Sequence, residues 1–215
     1  MIDNYHTIAS PTTGEFRDRG SKFLAYAYPI ENVEEGQECL EEVRKLHPKA
    51  RHYCYAYRLG LDENNFRAND DGEPSGTAGR PILGQIDSFG LTQVIIIVVR
   101  YFGGTLLGTS GLINAYKLSA KEALDKSIKV EKIIKDIFEL TFDYAIMGQV
   151  MNAVKKLNLN MHKQDFGEIG KLQVSIRKSE VDEMLLHLKA QIGEKRIEEI
   201  DEDTKIEGLS INKVS

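Results

Sequence analysis

The stretch VIIIVVRYFGGTLLGTSGL, residues Val94–Leu112, contains the most informative change of pattern in the chain. Val94–Tyr101 is apolar at almost every position, which predicts a buried strand. A glycine-rich loop, Gly103–Gly111, follows, and a helix is expected from Leu112 to about Lys126. Such a junction favours anion binding, because the unpaired amides of the first helical turn and the positive end of the helix dipole meet there.

This glycine loop partly matches the phosphate-binding loop of nucleotide hydrolases. Gly103 and Gly108 are five positions apart, and Ser110 follows as the hydroxyl residue. Thr109, however, stands where the motif requires the lysine that holds the β- and γ-phosphates. The sequence therefore argues against an NTPase. Two interpretations remain open: an anion site, or glycines that only form a tight turn from strand to helix.

Arginines are concentrated in the sequence that leads up to this loop. Five of the ten lie between positions 51 and 100, an interval that contains no lysine. A guanidinium binds phosphate or carboxylate with two parallel hydrogen bonds and keeps its charge when partly desolvated. Each arginine could instead pair with a nearby carboxylate, but Arg100 ends an apolar strand directly before the glycine loop, which favours a shared anion site. The five are Arg51, Arg58, Arg67, Arg80 and Arg100, and the nearby carboxylates are Asp62, Glu63, Asp70, Asp71 and Glu73.

A second glycine-rich loop, DDGEPSGTAGRP at Asp70–Pro81, is expected to run into a short helix at Ile82–Ile86. Its carboxylates could hold Mg²⁺ or act as acid and base. Carboxylates ahead of glycine and serine more commonly cap turns, so no metal and no cofactor is expected. The side chains of this loop that could contact an anion are Ser75, Thr77 and Arg80.

The residues before this loop predict strands and one surface helix. Tyr5–Ile30 is interpreted as two strands, and Val33–His47 as a helix. His52–Leu59 alternates strictly and predicts a strand that forms a hairpin with a short partner at Phe66.

Three tyrosines of this hairpin strand, Tyr53, Tyr55 and Tyr57, share one face. They form either half of a packed core or a platform on which bases stack. The core interpretation is the commoner one. Tyr57 and Tyr101, each beside an arginine, are the best candidates for stacking.

The pattern after Lys135 predicts a second domain. Lys129–Lys135 is interpreted as a link, and the chain is divided near Lys132. The order strand, helix, strand, strand, helix, strand is typical of the ferredoxin-like fold. The expected domains are 1–132 and 136–206, which gives an α+β protein of two domains. The six predicted elements are Ile137–Asp143, Met147–Leu157, Asn160–Phe166, Lys171–Lys178, Val181–Ile192 and Arg196–Ile206.

Composition excludes several other classes of protein. The net charge of −5 is unlike that of a histone-type binder, so any basic site is local. No apolar stretch approaches the roughly 20 residues of a membrane helix, and no secretory signal is recognised, so a cytoplasmic protein is expected. Ser110 lies outside a GxSxG elbow, and His52 and Cys54 suit a strand better than a catalytic dyad. No histidine or cysteine has metal-ligand spacing to another.

Four strings resemble the IMPACT family: SKF at Ser21–Phe23, His52 with AYR at Ala56–Arg58, DDGEPSGTAGRP, and VVRYFGGTLLGTSGL at Val98–Leu112. The resemblance implies an N-terminal α/β domain like domain IV of elongation factor G and a tail like its domain V. It also implies an RNA or ribosome setting and a role in translation regulation. The action of eukaryotic members on a stress kinase uses a further N-terminal domain and is not transferred. Thr105 and Leu106 stand where those members tend to place a lysine.

Three functions are therefore compared. The first is a protein that binds phosphates of RNA or the ribosome. The second is an enzyme acting on a small phosphorylated or carboxylated metabolite, with Asp70, Asp71, Glu73 or His52 as acid or base. The third is an adaptor that binds a protein partner through its C-terminal domain. The residues expected at the anion site are Arg51, His52, Arg58, Ser75, Thr77, Arg80, Arg100, Tyr101, Gly103, Gly104, Gly108, Thr109, Ser110 and Gly111.

Overall fold

The computed structural model describes residues 3–62 and 64–214. The chain divides into two compact units, which are described separately. The N-terminal unit is Tyr5–Lys132, and the C-terminal unit extends from Ile133 and includes Asp3 and Asn4. Within the described ranges, no helix is both long and apolar enough to cross a membrane.

Elements as far as Ile133 form one five-stranded sheet, one two-stranded sheet and three helices within the described residues. The large sheet has the order β2-β3-β6-β4-β5, and every adjacent pair is antiparallel. The elements are β1 (Asn4–Ile8), β2 (Thr12–Asp18), β3 (Ser21–Pro29), α1 (Val33–Leu46), β4 (His52–Arg58), β5 (Phe66–Asn69), α2 (Gly79–Ser88), β6 (Val94–Tyr101), α3 (Gly108–Asp125) and β7 (Lys129–Ile133).

The central strand β6 is buried on both faces, which explains its continuous apolar sequence. Successive side chains of a strand point to opposite faces. Val94, Ile96 and Val98 therefore pack under α2 and α3, whereas Ile95, Ile97 and Val99 pack under α1. The N-terminal unit is accordingly a sheet between two helical layers.

Small residues allow α3 to approach the sheet closely. A Cβ added to Gly14 of β2 would lie 2.4 Å from the amide nitrogen of Ala123 in α3. The Thr12 hydroxyl donates a hydrogen bond of 2.9 Å to the carbonyl oxygen of the same alanine. The position of α3, and so of the loop that precedes it, is fixed by this contact with β2.

Several sequence-based boundaries in this unit are wrong. Tyr5–Ile30 contains parts of three strands rather than two, and Lys129–Lys135 is no link, because Lys129–Ile133 pairs with β1. The strands β1 and β7 lie more than 100 residues apart in the sequence, so the local sequence pattern does not reveal that they pair. The helices α2 and α3 begin three and four residues earlier than expected. Their first turns contain glycine, which carries no side chain to show a helical period, and Pro81, which a first turn accepts.

The C-terminal unit is a four-stranded antiparallel sheet with the order β11-β8-β10-β9. Its two α-helices cover one face, and the core joins alternate residues of the central strands β8 and β10 to both helices. The elements are β8 (Lys135–Phe142), α4 (Met147–Lys156), β9 (Asn160–Phe166), β10 (Gly170–Arg177), α5 (Val181–Ile192) and β11 (Leu209–Lys213).

The order of the elements is as predicted, but the position predicted for the last strand of this unit is wrong. Arg196–Ile206 is not a strand: Ile197–Glu199 forms a 3-10 turn, and Asp201 and Thr204 bond to each other in a tight turn. The strand comes later, where Ile211 lies opposite Leu140. Apolar residues spaced through an acidic segment resemble a strand, but the local hydrogen bonds of Asp201 and Thr204 form a turn instead.

Asp3 is part of the C-terminal unit. Its carboxylate accepts hydrogen bonds from Arg177 and Ser179, and its carbonyl oxygen accepts one of 2.7 Å from the Ile134 amide. The hydrogen bonds from Arg177 and Ser179 lower the pKa of Asp3 from 3.8 to about 2. The ionised carboxylate therefore stabilises this unit.

Replacing Asp3 by Asn is expected to destabilise the protein at neutral pH and to have little effect near pH 2. Because the folded state lowers the pKa, the contribution is complete above 3.8 and is lost as the pH falls through about 2. Urea unfolding of both proteins between about pH 7 and about pH 2.5 measures this difference. Asp165→Asn, an exposed change on β9, is the control. A difference that does not shrink on acidification would contradict the assignment.

Candidate functional site

Both glycine-rich loops leave the same end of the N-terminal sheet, which we call the loop end. There β3 and β4 begin and β6 ends, since Phe23 and His52 both lie opposite Arg100. The loop after β5 folds back against β4: the Asp71 carbonyl oxygen lies 2.8 Å from His52 Nδ1, and its carboxylate accepts a hydrogen bond of 2.7 Å from the Tyr53 amide. The sequence-predicted loops are thus neighbours in the fold.

A buried ion pair lies at the centre of the loop end. Arg100 Nη1 is 2.6 Å from Glu73 Oε1, and the two side chains are 9% and 3% exposed. The Tyr116 hydroxyl of α3 donates a hydrogen bond of 2.9 Å to the same carboxylate oxygen. Strand β6, the 70–78 loop and α3 therefore meet at one carboxylate.

Cys54 extends this polar cluster into the core. Its Sγ lies 3.2 Å from the Tyr116 hydroxyl oxygen and 3.0 Å from the Asp70 carbonyl oxygen. Burial raises the pKa of the Cys54 thiol and of the Tyr116 hydroxyl well above their usual values. Both groups stay protonated at neutral pH, and a neutral buried thiol is a poor nucleophile. The geometry argues against cysteine catalysis.

Arg100 is not the free phosphate contact that the sequence suggested. Its charge is neutralised by Glu73, one of the nearby carboxylates considered for pairing. The guanidinium carbon also lies 5.6 Å from the ring centroids of both Phe23 and Phe102. Among the described residues, Arg100 Nε is buried without a hydrogen-bond partner. The structure therefore gives Arg100 a role in positioning the two loops.

The first turn of α2 is capped by the chain itself. The Asp70 carboxylate accepts hydrogen bonds from the amides of Gly76, Ala78 and Gly79 at 2.7 to 3.0 Å. Burial opposes its charge, but these amides and the nearby Arg80 outweigh that effect, so the pKa of Asp70 is lowered. Asp70 thus fills the position that an anion would take at this helix.

Thr77 also stabilises the 70–78 loop. Its buried hydroxyl donates a hydrogen bond of 2.7 Å to the Pro74 carbonyl oxygen. The expectation that Thr77 contacts an anion is revised for this reason, whereas Ser75 is exposed. Within residues 3–62 and 64–214, no group of three or more histidine, cysteine or acidic side chains could hold a metal ion.

The first turn of α3 is open in contrast. The residue at its N-cap position is Leu107, whose side chain has no polar atom to cap the helix. Thr109 and Ser110 are exposed in the first turn. Gly104 and Gly108 have positive φ angles of 87° and 72°, and apart from adjacent residues and the backbone of α3 itself, no atom of the described chain lies within 4 Å of a Cβ added to either. A ligand can therefore approach this backbone directly.

Gly103 has a structural function instead. Its amide donates a hydrogen bond of 3.1 Å to the Ser21 hydroxyl, and an added Cβ would lie 1.9 Å from the carbonyl carbon of Gly20. The turn between β2 and β3 is thereby held against the glycine loop. Gly111 is also confined, with an added Cβ 3.0 Å from Leu107 Cβ.

This contact brings basic residues to the site that the sequence analysis did not identify. Arg19 is exposed in the turn between β2 and β3, and Lys22 follows at the start of β3. Lys22 forms an exposed ion pair with Glu15, a kind of pair that is weak in water. In the sequence, only the SKF string drew attention to this region, and it does not indicate that the turn contacts the glycine loop.

Arg58 lies at the opposite end of the sheet, so its assignment to the site is wrong. It faces Val94 at the beginning of β6 and forms an ion pair of 2.7 Å with Asp87 in α2. Arg58 is six positions along β4 from His52, a length of about 20 Å. The alternating pattern of β4 predicts the strand but not which of its ends joins the loops.

Tyrosines of this sheet pack on the α1 side. Tyr53, Tyr55, Tyr57 and Tyr101 all contact the apolar cluster under α1, as the core interpretation predicts. The Tyr101 hydroxyl lies 3.0 Å from Nδ1 of His47 at the end of α1. The proposals that Tyr57 and Tyr101 stack on bases are therefore revised.

Of the five arginines between positions 51 and 100, three are exposed and form no ion pair with the described residues 3–62 and 64–214. Arg51 directly precedes His52 at the loop end, and Arg80 lies in the first turn of α2. Arg67 lies on β5 opposite Tyr57, away from the loop end. Arg51 and Arg80 are thus placed to attract an anion, and Arg67 is a natural control.

Arg100→Ala is expected to lower the free energy of unfolding by about 3–5 kcal/mol, because it leaves the Glu73 carboxylate buried without its cation. Combining Arg100→Met with Glu73→Gln removes both charges and retains a side-chain oxygen that accepts the hydrogen bond from the Tyr116 hydroxyl. Most of the lost free energy of unfolding is therefore expected to be recovered. Guanidinium unfolding of the single and double variants measures both effects. A double variant no more stable than Arg100→Ala would contradict the ion pair.

Comparisons with known proteins agree on one family. Residues 19–124 match the description "Impact N-terminal domain". The chain is 31% identical over 182 residues to the IMPACT family member YvyE of Bacillus subtilis (strain 168), covering 85% of this chain and 84% of that protein. It is 34% identical over 157 residues to the IMPACT family member YigZ of Escherichia coli (strain K12), covering 69% and 77%.

A solved structure, described as the crystal structure of a hypothetical protein, is similar over most of the length. It has a TM-score of 0.69 and 30% sequence identity, and the match covers 88% of this chain and 93% of that one. The matched range 19–124 includes three segments that meet at the loop end: the β2–β3 turn, the 70–78 loop and the glycine loop. The resemblance identified from these strings is confirmed, and the chain belongs to the IMPACT family.

Proposed function

We propose that the loop end binds phosphates of RNA or of the ribosome and that the protein acts in the regulation of translation. The observation that carries the proposal is the exposed, uncapped first turn of α3, next to the open backbone of Gly104 and Gly108. The choice of RNA is supported by membership of the IMPACT family, whose resemblance implies an RNA or ribosome setting.

Charge supports a local anion site on an acidic chain. Arg19 and Lys22 lie on one side of the glycine loop, and Arg51 lies where β4 begins. The first turn of α3 contains no acidic residue. Guanidinium groups and free amides are both donors to phosphate oxygens, so the two kinds of group act on neighbouring phosphates.

The proposed folds are those of the two domains suggested by the sequence. An N-terminal domain resembling domain IV of elongation factor G, expected at residues 1–132, is assigned to Tyr5–Lys132. A ferredoxin-like domain is assigned to the C-terminal residues, and the order β8-α4-β9-β10-α5-β11 with the sheet order β11-β8-β10-β9 supports it. Fold analogy alone does not give a mechanism, so the phosphate contacts carry the argument.

An enzyme at the same place has less support. The candidate acids and bases Asp70, Asp71 and Glu73 are engaged in capping α2, in binding the Tyr53 amide and in pairing with Arg100. His52 bonds to the Asp71 carbonyl oxygen. Each group would have to give up a structural contact before it could transfer a proton.

A protein partner of the C-terminal unit is a second candidate. All seven residues of the edge strand β9 are exposed, including the apolar Met161 and Phe166. An edge strand can accept a further strand from a partner. Replacing Met161 and Phe166 by lysine is then expected to abolish co-purification of that partner and to leave RNA affinity unchanged. If the lysine variant still co-purifies the partner, this candidate is excluded.

The combined change Arg19→Glu and Arg51→Glu is expected to weaken binding of the full chain to tRNA or ribosomes by at least about tenfold. The affinity of the unchanged protein should fall steeply between low and moderate salt, and the slope against salt should decrease by about 1 for each phosphate contact removed. Fluorescence anisotropy at several salt concentrations measures both quantities.

Arg67→Glu is the matched control, because this exposed arginine lies on the same sheet away from the loop end. The proposal predicts that this control binds like the unchanged protein. An affinity for RNA that is independent of salt, or equal losses from both charge reversals, would contradict phosphate binding at the loop end.

A further inference from the structure

The glycine loop also presents two apolar side chains. Phe102 is 59% exposed and Leu106 is 81% exposed, only four positions apart. Single exposed apolar residues are common, but an exposed aromatic ring beside the open backbone of Gly104 and the cations Arg19 and Lys22 has a more specific chemistry.

The Phe102 ring is positioned by a neighbouring side chain of the same strand end. The Arg100 guanidinium lies over one side of the ring, 5.6 Å from its centroid. Arg100 is itself fixed by the ion pair with Glu73 and by contact with the Phe23 ring. A ring that is already positioned loses little conformational freedom when a flat partner binds to it.

We infer that Phe102 stacks on an unpaired base of the bound RNA, which rests on the proposed phosphate binding at the loop end. Every base has an aromatic face, and stacking on an exposed ring adds affinity with little dependence on sequence. In a duplex these faces are covered by neighbouring base pairs, and only loops, bulges and single strands offer them. The ligand class is therefore RNA with unpaired bases.

The phosphates of such an RNA have donors close by. A stacked base is connected through its sugar to phosphates that lie on both sides of it, and the glycine loop joins Phe102 to the first turn of α3. Arg19 and Lys22 lie next to the same loop through the contact of Gly103 with Gly20 and Ser21. One loop thus combines a stacking ring with phosphate donors.

The absence of tryptophan from the sequence gives a direct experiment. In Phe102→Trp the only indole of the full chain would stand at the stacking position, and its emission is expected to be quenched on saturation with a single-stranded oligoadenylate. A blunt RNA duplex of equal charge should quench it little. Phe102→Leu keeps an apolar side chain without a ring and should weaken single-strand binding by at least about fivefold while duplex binding is unchanged.

Phe66 provides the matched control. It is 46% exposed and carries a guanidinium, that of Arg58, 5.5 Å from its ring centroid, but it lies on β5 at the other end of the sheet. Emission of Phe66→Trp should not respond to the oligonucleotide. Because Phe102 and Phe66 are both exposed, unfolding curves of the variants should match that of the unchanged protein.

The outcomes separate the two proposals. Quenching of Phe102→Trp alone, with the loss of affinity in Phe102→Leu, supports stacking. Salt-dependent RNA binding without either effect overturns stacking and leaves phosphate binding in place. Failure of every variant and of the unchanged protein to bind RNA overturns both. A blue shift of Phe102→Trp with anionic phospholipid vesicles, without a response to RNA, would assign the loop to a membrane surface and overturn the inference.

Discussion

The ion pair between Arg100 and Glu73 organises the whole loop end. Arg100 lies next to the last residue of the central strand, Glu73 belongs to the loop before α2, and Tyr116 of α3 bonds to the same carboxylate. A charge buried this deeply is tolerated only with its partner, so the two loops and the helix keep fixed relative positions. The guanidinium also lies over Phe102 and thereby positions an exposed ring. An arginine that the sequence suggests for phosphate binding acts here by holding other groups in place.

The two helices at the loop end have different N-termini. In α2 the Asp70 carboxylate occupies the amides of Gly76, Ala78 and Gly79, so the chain supplies its own anion. The first turn of α3 follows Leu107 and has no such cap, and the glycines before it leave the backbone open. This asymmetry directs an external anion to α3. It also explains why acidic residues near the site are compatible with an anion site, since their charges are already neutralised or hydrogen-bonded.

The parts of the fold that can be predicted are those with a strong local pattern. Strand β6, with its unbroken apolar run, and α5, with its apolar period, have boundaries that the sequence reveals directly. The start of α3 is hidden because glycine shows no period, and β11 is set by pairing with β8 across the unit rather than by its own residues. Both loops of the candidate site were also predictable. The residues assigned to the site were partly wrong, because only tertiary contacts show that Arg58 pairs with Asp87 and that the turn containing Arg19 lies against Gly103.

Phosphate binding at the open turn of α3 is tested most directly by amide chemical shifts of the full-length protein during titration with an RNA oligonucleotide. The amides of Gly104, Gly108, Thr109 and Ser110 are expected to shift progressively and to return when salt is raised. Those of Gly76 and Gly79, already bonded to Asp70, should change little. Shifts confined to other surfaces, with these four amides unmoved at saturating RNA, would contradict the proposed site.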